Sequence, residues 1–285
     1  MAKDARTFGQ DLMRGEHVVG KPRNTIPAGV TFGEMANFDG AGRAITGTSI
    51  FDPVLCELAY RWFSPQGGHI LDPFAGGSVR GLVASCLGRR YTGIDLRAEQ
   101  IEANQAQAHI GTGPAPEWIV GDSRNIGTLA AHVDADMIFS CPPYADLEVY
   151  SDDPADLSTL GYPEFREAYF EIIAAACSRL KADRFACFVV GEARGKDGNY
   201  YNFVGDTVAA FQAAGLGFYN EAILVTAAGS LALRTGKQFA TTRKMGKAHQ
   251  NVLVFLKGDS RKAVEALGEV EFGDMPEGAE FGEEL

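Results

Sequence analysis

A strand, a glycine turn, a helix and a second strand follow one another near residue 70, and this unit constrains the fold more than any other part of the chain. The apolar run 69–74 predicts a short buried strand, and Gly76-Gly77 predicts the turn after it. Ser78 is placed to cap the helix, and residues 91–96 predict a second strand that carries Asp95 near its end. Such a βαβ unit binds a nucleoside, because the glycines let the backbone approach the ligand and the acid accepts hydrogen bonds from ribose hydroxyls.

The composition indicates a cytoplasmic α/β protein. The chain has 285 residues, of which 46% are hydrophobic, enough for one large core. No apolar run approaches the ~20 residues that span a bilayer, and the polar first residues lack the apolar stretch of a signal peptide. The five cysteines form no C-x-x-C pair, which predicts reduced thiols and argues against a disulfide framework and against a zinc site. We therefore expect no membrane association and no metal.

Strands alternate with helices along most of the chain. Beyond the first βαβ unit, strands are predicted at 117–122, 136–140, 184–190, 218–225 and 250–257, and helices after Asp52 and at 97–109, 163–180 and 203–214. This alternation implies a mostly parallel sheet with helices on both faces. No helix is predicted between the last two strands, so they are expected to form an antiparallel pair at the sheet edge. Residues 1–45 show no period and are expected to be irregular.

Two motifs connect this pattern to a known family. Asp72-Pro73-Phe74-Ala75-Gly76 is similar to the motif D-P-F-x-G, and Cys141-Pro142-Pro143-Tyr144, which directly follows the fourth predicted strand, is similar to [DNS]-P-P-[YFW]. From about Thr46 to Lys257 the chain therefore resembles the S-adenosylmethionine-dependent DNA amino-methyltransferases, notably their small phage-encoded members. Enzymes of this family methylate N4 of cytosine or N6 of adenine.

The resemblance implies a Rossmann-like class I methyltransferase fold, which is α/β, with a mostly parallel seven-stranded sheet, helices on both faces and an antiparallel C-terminal strand. It implies a methyltransferase domain at 46–258 that acts on double-stranded DNA in a bacterial cytoplasm, as a monomer or homodimer. The cofactor would be S-adenosylmethionine and the product S-adenosylhomocysteine. The cofactor-binding residues that it implies are Thr48, Ser49, Phe51, Asp72, Phe74, Ala75, Gly76, Gly77, Ser78, Asp95, Leu96, Asp122 and Ser123.

Several residues of this set have both a cofactor role and a plainer structural role. By resemblance, Asp95 and Asp122 would hold the ribose and the adenine, and Asp72 would support the loop and the methionine amino group. Asp95 could instead cap the helix that follows it, Asp122 with Ser123 could form an ordinary turn, and Phe74 could fill the core. The segment 48–51 would meet the methionine end of the cofactor.

The Cys-Pro-Pro-Tyr segment would activate an amine. An exocyclic amine is a poor nucleophile because its lone pair is delocalised into the ring. The resemblance implies that the side chain of Cys141 and the carbonyl of Pro142 accept its two N–H groups. Pro142 and Pro143 would fix the backbone so that this carbonyl points correctly, and Tyr144 would stack on a base flipped out of the duplex.

Two positions depart from the family pattern. Ser78 stands where the family's loop has its last glycine, and Cys141 stands where it has Asp, Asn or Ser. Three interpretations of Cys141 stay open: a substitute acceptor, although a weak one, a nucleophile that adds to C6 of cytosine so that the methyl goes to C5, or an inert small residue. For the nucleophile, Glu192 at the end of the fifth strand is the candidate catalytic acid; its other interpretation is a solvated strand end.

Charge is distributed unevenly along the chain. The net charge is −11, yet residues 229–250 hold five bases and no acid. This stretch is predicted to contact DNA phosphates from a target-recognition loop at about 226–248, although a solvated loop is the default for such a composition. The five bases are Arg234, Lys237, Arg243, Lys244 and Lys247. The segment 259–285 holds nine acids and two bases and is predicted to be a solvated, flexible tail.

Two other functions stay open. RNA and protein methyltransferases share the fold and carry N-P-P-Y variants of the motif, and a non-catalytic DNA-binding relative could have kept the fold without the chemistry. Cys141 favours the last alternative, whereas Asp95, Asp122 and the Pro-Pro-Tyr residues argue against it. The sequence thus predicts a DNA amino-methyltransferase and leaves the methylated atom open.

Overall fold

The computed structural model describes residues 51–144, 153, 155–225 and 231–270, which contain a seven-stranded sheet with helices on both faces. The strands are β1 (His69–Asp72), β2 (Arg90–Asp95), β3 (Glu117–Val120), β4 (Ala135–Ser140), β5 (Leu180–Val190), β6 (Gly217–Val225) and β7 (His249–Lys257). The helices are α1 (Pro53–Phe63), α2 (Val79–Cys86), α3 (Ala98–Ala106), α4 (Ile126–Leu129), α5 (Tyr162–Arg179), α6 (Phe203–Ala213), α7 (Leu231–Thr242) and α8 (Ser260–Leu267). None of these helices has the length and apolar character needed to cross a membrane.

The strand order is β3-β2-β1-β4-β5-β7-β6. Strands β1 to β5 pair in parallel, and β7 pairs antiparallel with both β5 and β6. This confirms the predicted Rossmann-like class I methyltransferase fold, with a mostly parallel sheet and an antiparallel C-terminal strand. The chain passes from β3 at one side to β4 at the other, so the strand order reverses between β1 and β4, where open α/β sheets bind ligands at the carboxyl ends of the strands.

The core lies in two layers, one on each face of the sheet. Successive residues of a strand point to opposite faces, so Leu71 belongs to the core layer that contains Tyr169 of α5 and Phe211 of α6, whereas Ile70 belongs to the layer that contains Tyr60 of α1. All five side chains are buried. Burial on both faces explains why the central strands are continuous apolar runs in the sequence.

The connection between β6 and β7 differs from the expectation. The sequence predicts a loop there, whereas the structure has helix α7. The predicted antiparallel pair of the last two strands at the sheet edge is confirmed, with β6 outermost and β7 between β5 and β6. Gly236 and several threonines lower the helix propensity of this stretch, which is why its pattern indicates a loop. A contact that the sequence does not reveal packs Leu231 of α7 beside Gly246 on the returning segment.

The segment after β7 also differs from the expectation, because a flexible tail is predicted from Asp259 and helix α8 is found. The Asp259 carboxylate caps this helix by accepting hydrogen bonds from the backbone N–H groups of Arg261 at 2.9 Å and Lys262 at 3.1 Å. Ala263 is fully buried and Leu267 packs against the same core layer. The acidic composition therefore concealed a short amphipathic helix. Residues 271–285 lie outside the described residues.

Candidate active site

The loop after β1 is tied to the end of β2. The backbone N–H of Gly76 donates to Asp95 Oδ2 at 2.9 Å, and Asn104 Nδ2 of α3 donates to the Gly76 carbonyl at 2.7 Å. Gly76 has φ +48°, a conformation that favours glycine. Gly77 is exposed, and a Cβ atom placed on it would meet no protein atom within 4 Å. The space in front of the loop is therefore open to a ligand that needs close approach to the backbone.

Asp72 lies behind this loop and is completely buried. Its Oδ1 accepts hydrogen bonds from Phe74 N at 3.1 Å and Ser140 Oγ at 2.5 Å. Its Oδ2 accepts from Arg80 Nε at 2.6 Å and Tyr91 Oη at 2.7 Å. These four donors use both carboxylate oxygens, so the contacts of Asp72 are those of a residue that supports the loop and joins it to the end of β4.

Arg80 is the partner of Asp72 that sequence reasoning missed. It lies in the first turn of α2 and is 4% exposed. Its Nη2 donates to the carbonyls of Phe74 at 2.5 Å and Ala75 at 2.9 Å, so the guanidinium holds the loop from behind. The ring of Phe51 lies 4.8 Å from the guanidinium carbon. No sequence signal distinguishes Arg80 from an ordinary exposed helix residue.

The remaining residues of the first loop have mixed roles. The hydroxyl of Ser78 donates to Gln107 Oε1 at 2.5 Å and makes no helix-capping bond, contrary to the expectation. Its backbone is already helical at φ −69° and ψ −18°, whereas a capping residue needs extended dihedrals. The Phe74 ring packs against Tyr169, with centroids 5.9 Å apart, as its core interpretation predicts. Ala75 is buried.

Asp95 lies at the carboxyl end of β2, half-buried beside Leu96. Besides the bond from Gly76, its Oδ1 accepts from Arg97 N at 2.9 Å. The N-cap position of α3 is Arg97, so Asp95 does not cap that helix. Burial raises the pKa of the Asp95 carboxyl, against the opposing effect of these two backbone hydrogen bonds. Each carboxylate oxygen has two acceptor positions, so Asp95 retains capacity for further donors.

Asp122 and Ser123 form a turn after β3. Asp122 Oδ1 accepts from Arg124 N at 2.9 Å, and Asp122 Oδ2 pairs with Arg124 Nη2 at 2.6 Å. Burial raises the pKa of Asp122, but the hydrogen bonds from Arg124 outweigh it and the pKa is lowered. Ser123 Oγ donates to the Pro73 carbonyl at 2.6 Å and so joins the loops after β1 and β3. These contacts match the plainer interpretation of an ordinary turn.

The Cys141-Pro142-Pro143-Tyr144 segment leaves β4 at the same edge of the sheet. The Tyr144 hydroxyl accepts a hydrogen bond from Gln250 Nε2 of β7 at 2.5 Å, and the Tyr144 ring lies beside Gly191, directly after β5. The Tyr144 ring packs edge-on against Phe203, with centroids 5.9 Å apart. Tyr144 is thus held by β5, β7 and α6. Sequence reasoning missed Gln250, which no motif marks.

Burial raises the pKa of the Cys141 thiol, and the nearby Asp72 charge adds to the effect, although Arg80 and the Tyr144 hydrogen bond oppose it. The thiol is therefore protonated at neutral pH. A cysteine nucleophile needs a lowered pKa, because the thiolate is the reactive form. This environment argues against the interpretation of Cys141 as a nucleophile.

Glu192 binds a helix terminus. Its Oε2 accepts from Phe203 N at 3.1 Å and its Oε1 from Val204 N at 3.3 Å, at the start of α6. Asn202, at the N-cap position, has φ +67° and makes no side-chain cap, so Glu192 caps the helix in its place. Neither of the roles considered from the sequence, catalytic acid or solvated strand end, describes these contacts.

Glu192 also lines a groove of about 410 Å³, and part of the predicted basic cluster lines the same groove. Its lining residues are Glu192, Arg194, Tyr200, Arg243, Met245, Gly246, Lys247 and His249. Of the other predicted DNA contacts, Lys237 is exposed on α7, Lys244 approaches Gly198, and the side chain of Arg234 lies outside what the structure describes. Thr48 and Ser49 also lie outside the described residues. Within the described ranges, no group of three or more His, Cys, Asp and Glu side chains could hold a metal ion.

No family model matches the sequence, and no curated protein matches it. Solved structures do resemble the fold. TrmN from Thermus thermophilus is 17% identical over 73% of this chain and 49% of that chain, with a TM-score of 0.48. A TehB-like SAM-dependent methyltransferase from Corynebacterium glutamicum is 19% identical over 75% and 91%, with a TM-score of 0.44. An rRNA methylase from Streptococcus thermophilus is 11% identical over 74% and 100%, with a TM-score of 0.45.

These similarities concern the fold alone. The chain spans about half the length of the TrmN structure, and nearly all of the other two. The activity must therefore be argued from the residues at the carboxyl edge of the sheet.

Proposed function

We propose that this protein is an S-adenosylmethionine-dependent methyltransferase that transfers a methyl group to the exocyclic amine of a flipped cytosine or adenine in double-stranded DNA. One observation carries the proposal. The glycine loop and the Cys-Pro-Pro-Tyr segment lie on neighbouring strands, and Ser140 Oγ links them by donating to Asp72 Oδ1 at 2.5 Å. A nucleoside-binding loop and an amine-activating segment are thereby held in one rigid unit.

The residues of the first loop fit the nucleoside part of the cofactor. Asp95 retains acceptor capacity for the ribose hydroxyls, while the exposed Gly77 leaves room for close approach to the backbone. Gly76 donates its backbone N–H to Asp95 and accepts at its carbonyl from Asn104, and these two hydrogen bonds hold the loop in place before a ligand binds. When bound, S-adenosylmethionine supplies an electrophilic methyl group on a sulfonium.

The second segment binds and orients the acceptor amine. The Pro142 carbonyl and the Cys141 sulfur are the acceptors for its two N–H groups, and the carbonyl is the stronger of the two because sulfur accepts hydrogen bonds weakly. The adjacent prolines restrict the backbone and so fix the carbonyl direction. Tyr144 is held by Gln250 and Phe203, which restricts its ring to one orientation for stacking on an extruded base.

The test is mass spectrometry of nucleosides from unmethylated genomic DNA incubated with the protein and S-adenosylmethionine. Wild type, Cys141→Ser and Cys141→Ala are compared, with Cys86→Ser as the control because Cys86 is exposed on α2. We expect N4-methylcytosine or N6-methyladenine, with activity kept or raised in Cys141→Ser because a hydroxyl accepts hydrogen bonds better than a thiol. The appearance of 5-methylcytosine, abolished in both Cys141 variants, would instead establish a cysteine nucleophile. The absence of any methylated base would overturn the assignment to DNA and direct the assay to RNA.

A further inference from the structure

Two residues that line the groove, Glu192 and His249, are the sequence neighbours of residues that approach Tyr144. Glu192 follows Gly191, which lies beside the Tyr144 ring and hydroxyl, and His249 precedes Gln250, whose amide donates to that hydroxyl. Part of the groove lining is therefore one sequence position away from contacts with Tyr144. A nucleic acid that places one base at Tyr144 can therefore extend a neighbouring nucleotide toward this groove.

A stacked pair of side chains forms one wall of the groove. The Arg194 guanidinium carbon lies 3.7 Å from the ring centroid of Tyr200, and Arg194 Nη1 donates to the Gly198 carbonyl at 2.9 Å. An antiparallel bridge between Arg194 and Tyr200 fixes the backbone of both residues. Tyr200 nevertheless stays 45% exposed. The pair is thus a positioned planar surface, and nucleic acid bases stack both on aromatic rings and on arginine guanidinium planes.

The groove is also positively charged. Among its described lining residues Arg194, Arg243 and Lys247 are cationic and Glu192 alone is acidic, and the Glu192 carboxylate already accepts two backbone N–H groups of α6. Lys247 Nζ contacts the neutral Asn251 Oδ1 at 3.3 Å. Arg243 directly follows the last residue of α7 and is exposed. A planar platform beside cationic side chains matches a base and its phosphate.

We propose that this groove binds the nucleotide adjacent to the methylated one, with the base face exposed by the flipped target on the Arg194–Tyr200 pair and the phosphate at Arg243 and Lys247. The proposal rests on the proposed function, because adjacency to the target requires the target base at Tyr144. It assigns a substrate-binding role to Arg194 and Tyr200, which belong to no motif of the sequence. Stacking of this kind tolerates every base, so the groove would add affinity without reading sequence.

The test is the affinity for a fluorescein-labelled, mixed-sequence DNA duplex, measured by fluorescence anisotropy over a range of salt concentrations. Tyr200→Ala should raise Kd by roughly 5- to 150-fold, the effect of removing one stacked base contact. Tyr200→Trp should retain binding because it keeps the stacking surface. The matched control is Tyr219→Ala on the edge strand β6, since Tyr219 is similarly exposed at 48%. Circular dichroism melting checks that each variant is folded.

The charged residues have their own readout. Arg243→Ala and Lys247→Ala should each reduce the slope of log Kd against log salt concentration by about 1, because each removes one phosphate contact. Lys262→Ala should leave the slope unchanged, because Lys262 is exposed on α8, which follows the end of β7 that pairs with Arg184 near the amino end of β5.

The outcomes separate this proposal from the proposed function. If Tyr200→Ala and Tyr219→Ala bind the duplex equally well and the wild type methylates DNA, the nucleotide-binding role of the groove is contradicted and the proposed methyltransferase function is not. If Tyr200→Ala raises Kd but the wild type methylates neither DNA nor RNA, the groove is supported as a nucleotide-binding site and the proposed methyltransferase function is contradicted. The same titration is repeated with an RNA duplex of the same sequence, and an effect of Tyr200→Ala confined to that RNA would overturn the assignment of the groove to DNA.

Discussion

The buried pair of Arg80 and Asp72 offers the sharpest test of how the glycine loop is held. Arg80→Met keeps an apolar stem of similar length and removes the guanidinium. It leaves the carboxylate of Asp72, which is 0% exposed, without its cation. It also removes the donor that holds the carbonyls of Phe74 and Ala75. Both losses affect the folded state, so the variant should unfold more readily.

The magnitude follows from the burial of both partners. Breaking a buried ion pair from one side costs about 3–5 kcal/mol, because the remaining charge is left uncompensated. For a domain of this size 1 kcal/mol shifts Tm by about 2–4 °C, so Tm should fall by about 6–20 °C. Asp72→Asn in the Arg80→Met background removes that charge. The second substitution should therefore restore part of the free energy of unfolding that Arg80→Met removes, giving a coupling free energy of about 0.5–3 kcal/mol between the two residues.

The free energy of unfolding is measured by urea titration followed by circular dichroism for wild type, both single variants and the double variant. Arg166→Met is the control, because its pair with Asp206 at 2.8 Å has a partly exposed arginine and should cost only about 0–1 kcal/mol. The reasoning about this network is refuted if Arg80→Met lowers the free energy of unfolding no more than Arg166→Met does. It is also refuted if the double variant loses as much free energy of unfolding as the two single variants lose together.

Three further predictions concern single side chains. Iodoacetamide at neutral pH should alkylate Cys141 more slowly than the exposed Cys86, since burial raises the pKa of Cys141; peptide mass spectrometry showing the reverse order would contradict this. Burial and Arg90 lower the pKa of His69 from 6.5 to about 4. As the pH drops from about 6.5 to about 4, the unfolded chain therefore binds the proton before the folded protein does. The free energy of unfolding should fall over this range by at most about 3 kcal/mol. His69→Gln should flatten this fall in urea titrations at several pH values, and an unchanged pH profile would refute it. Glu192→Ala should cost about 1 kcal/mol by uncapping α6, and Glu192→Gln less because it keeps one acceptor; equal stability of both variants and wild type in urea would exclude the cap.

The local units of the fold were readable from the sequence. The run 69–74, the Gly76-Gly77 turn and the strand that ends at Asp95 predicted the β1–α2–β2 unit, because burial on both faces makes a central strand uniformly apolar and a tight turn needs glycine. The alternation of strands and helices predicted a mostly parallel sheet in the same way. The segment after β4 was also placed correctly at the carboxyl edge of the sheet, since the motif directly follows a predicted strand.

Only the tertiary structure decided which side chains hold these units together. Ser140 meets Asp72 across 68 residues of sequence and Gln250 meets Tyr144 across 106, and contacts of that range leave no periodic trace in the chain. The same reason explains Arg80, which looks like an exposed helix residue until its carboxylate partner is placed behind it. Helix α7 likewise forms despite weak helix propensity, and the sequence does not reveal that its Leu231 lies beside Gly246. Sequence patterns record what each segment buries, whereas the partner of a polar side chain is decided when distant segments pack.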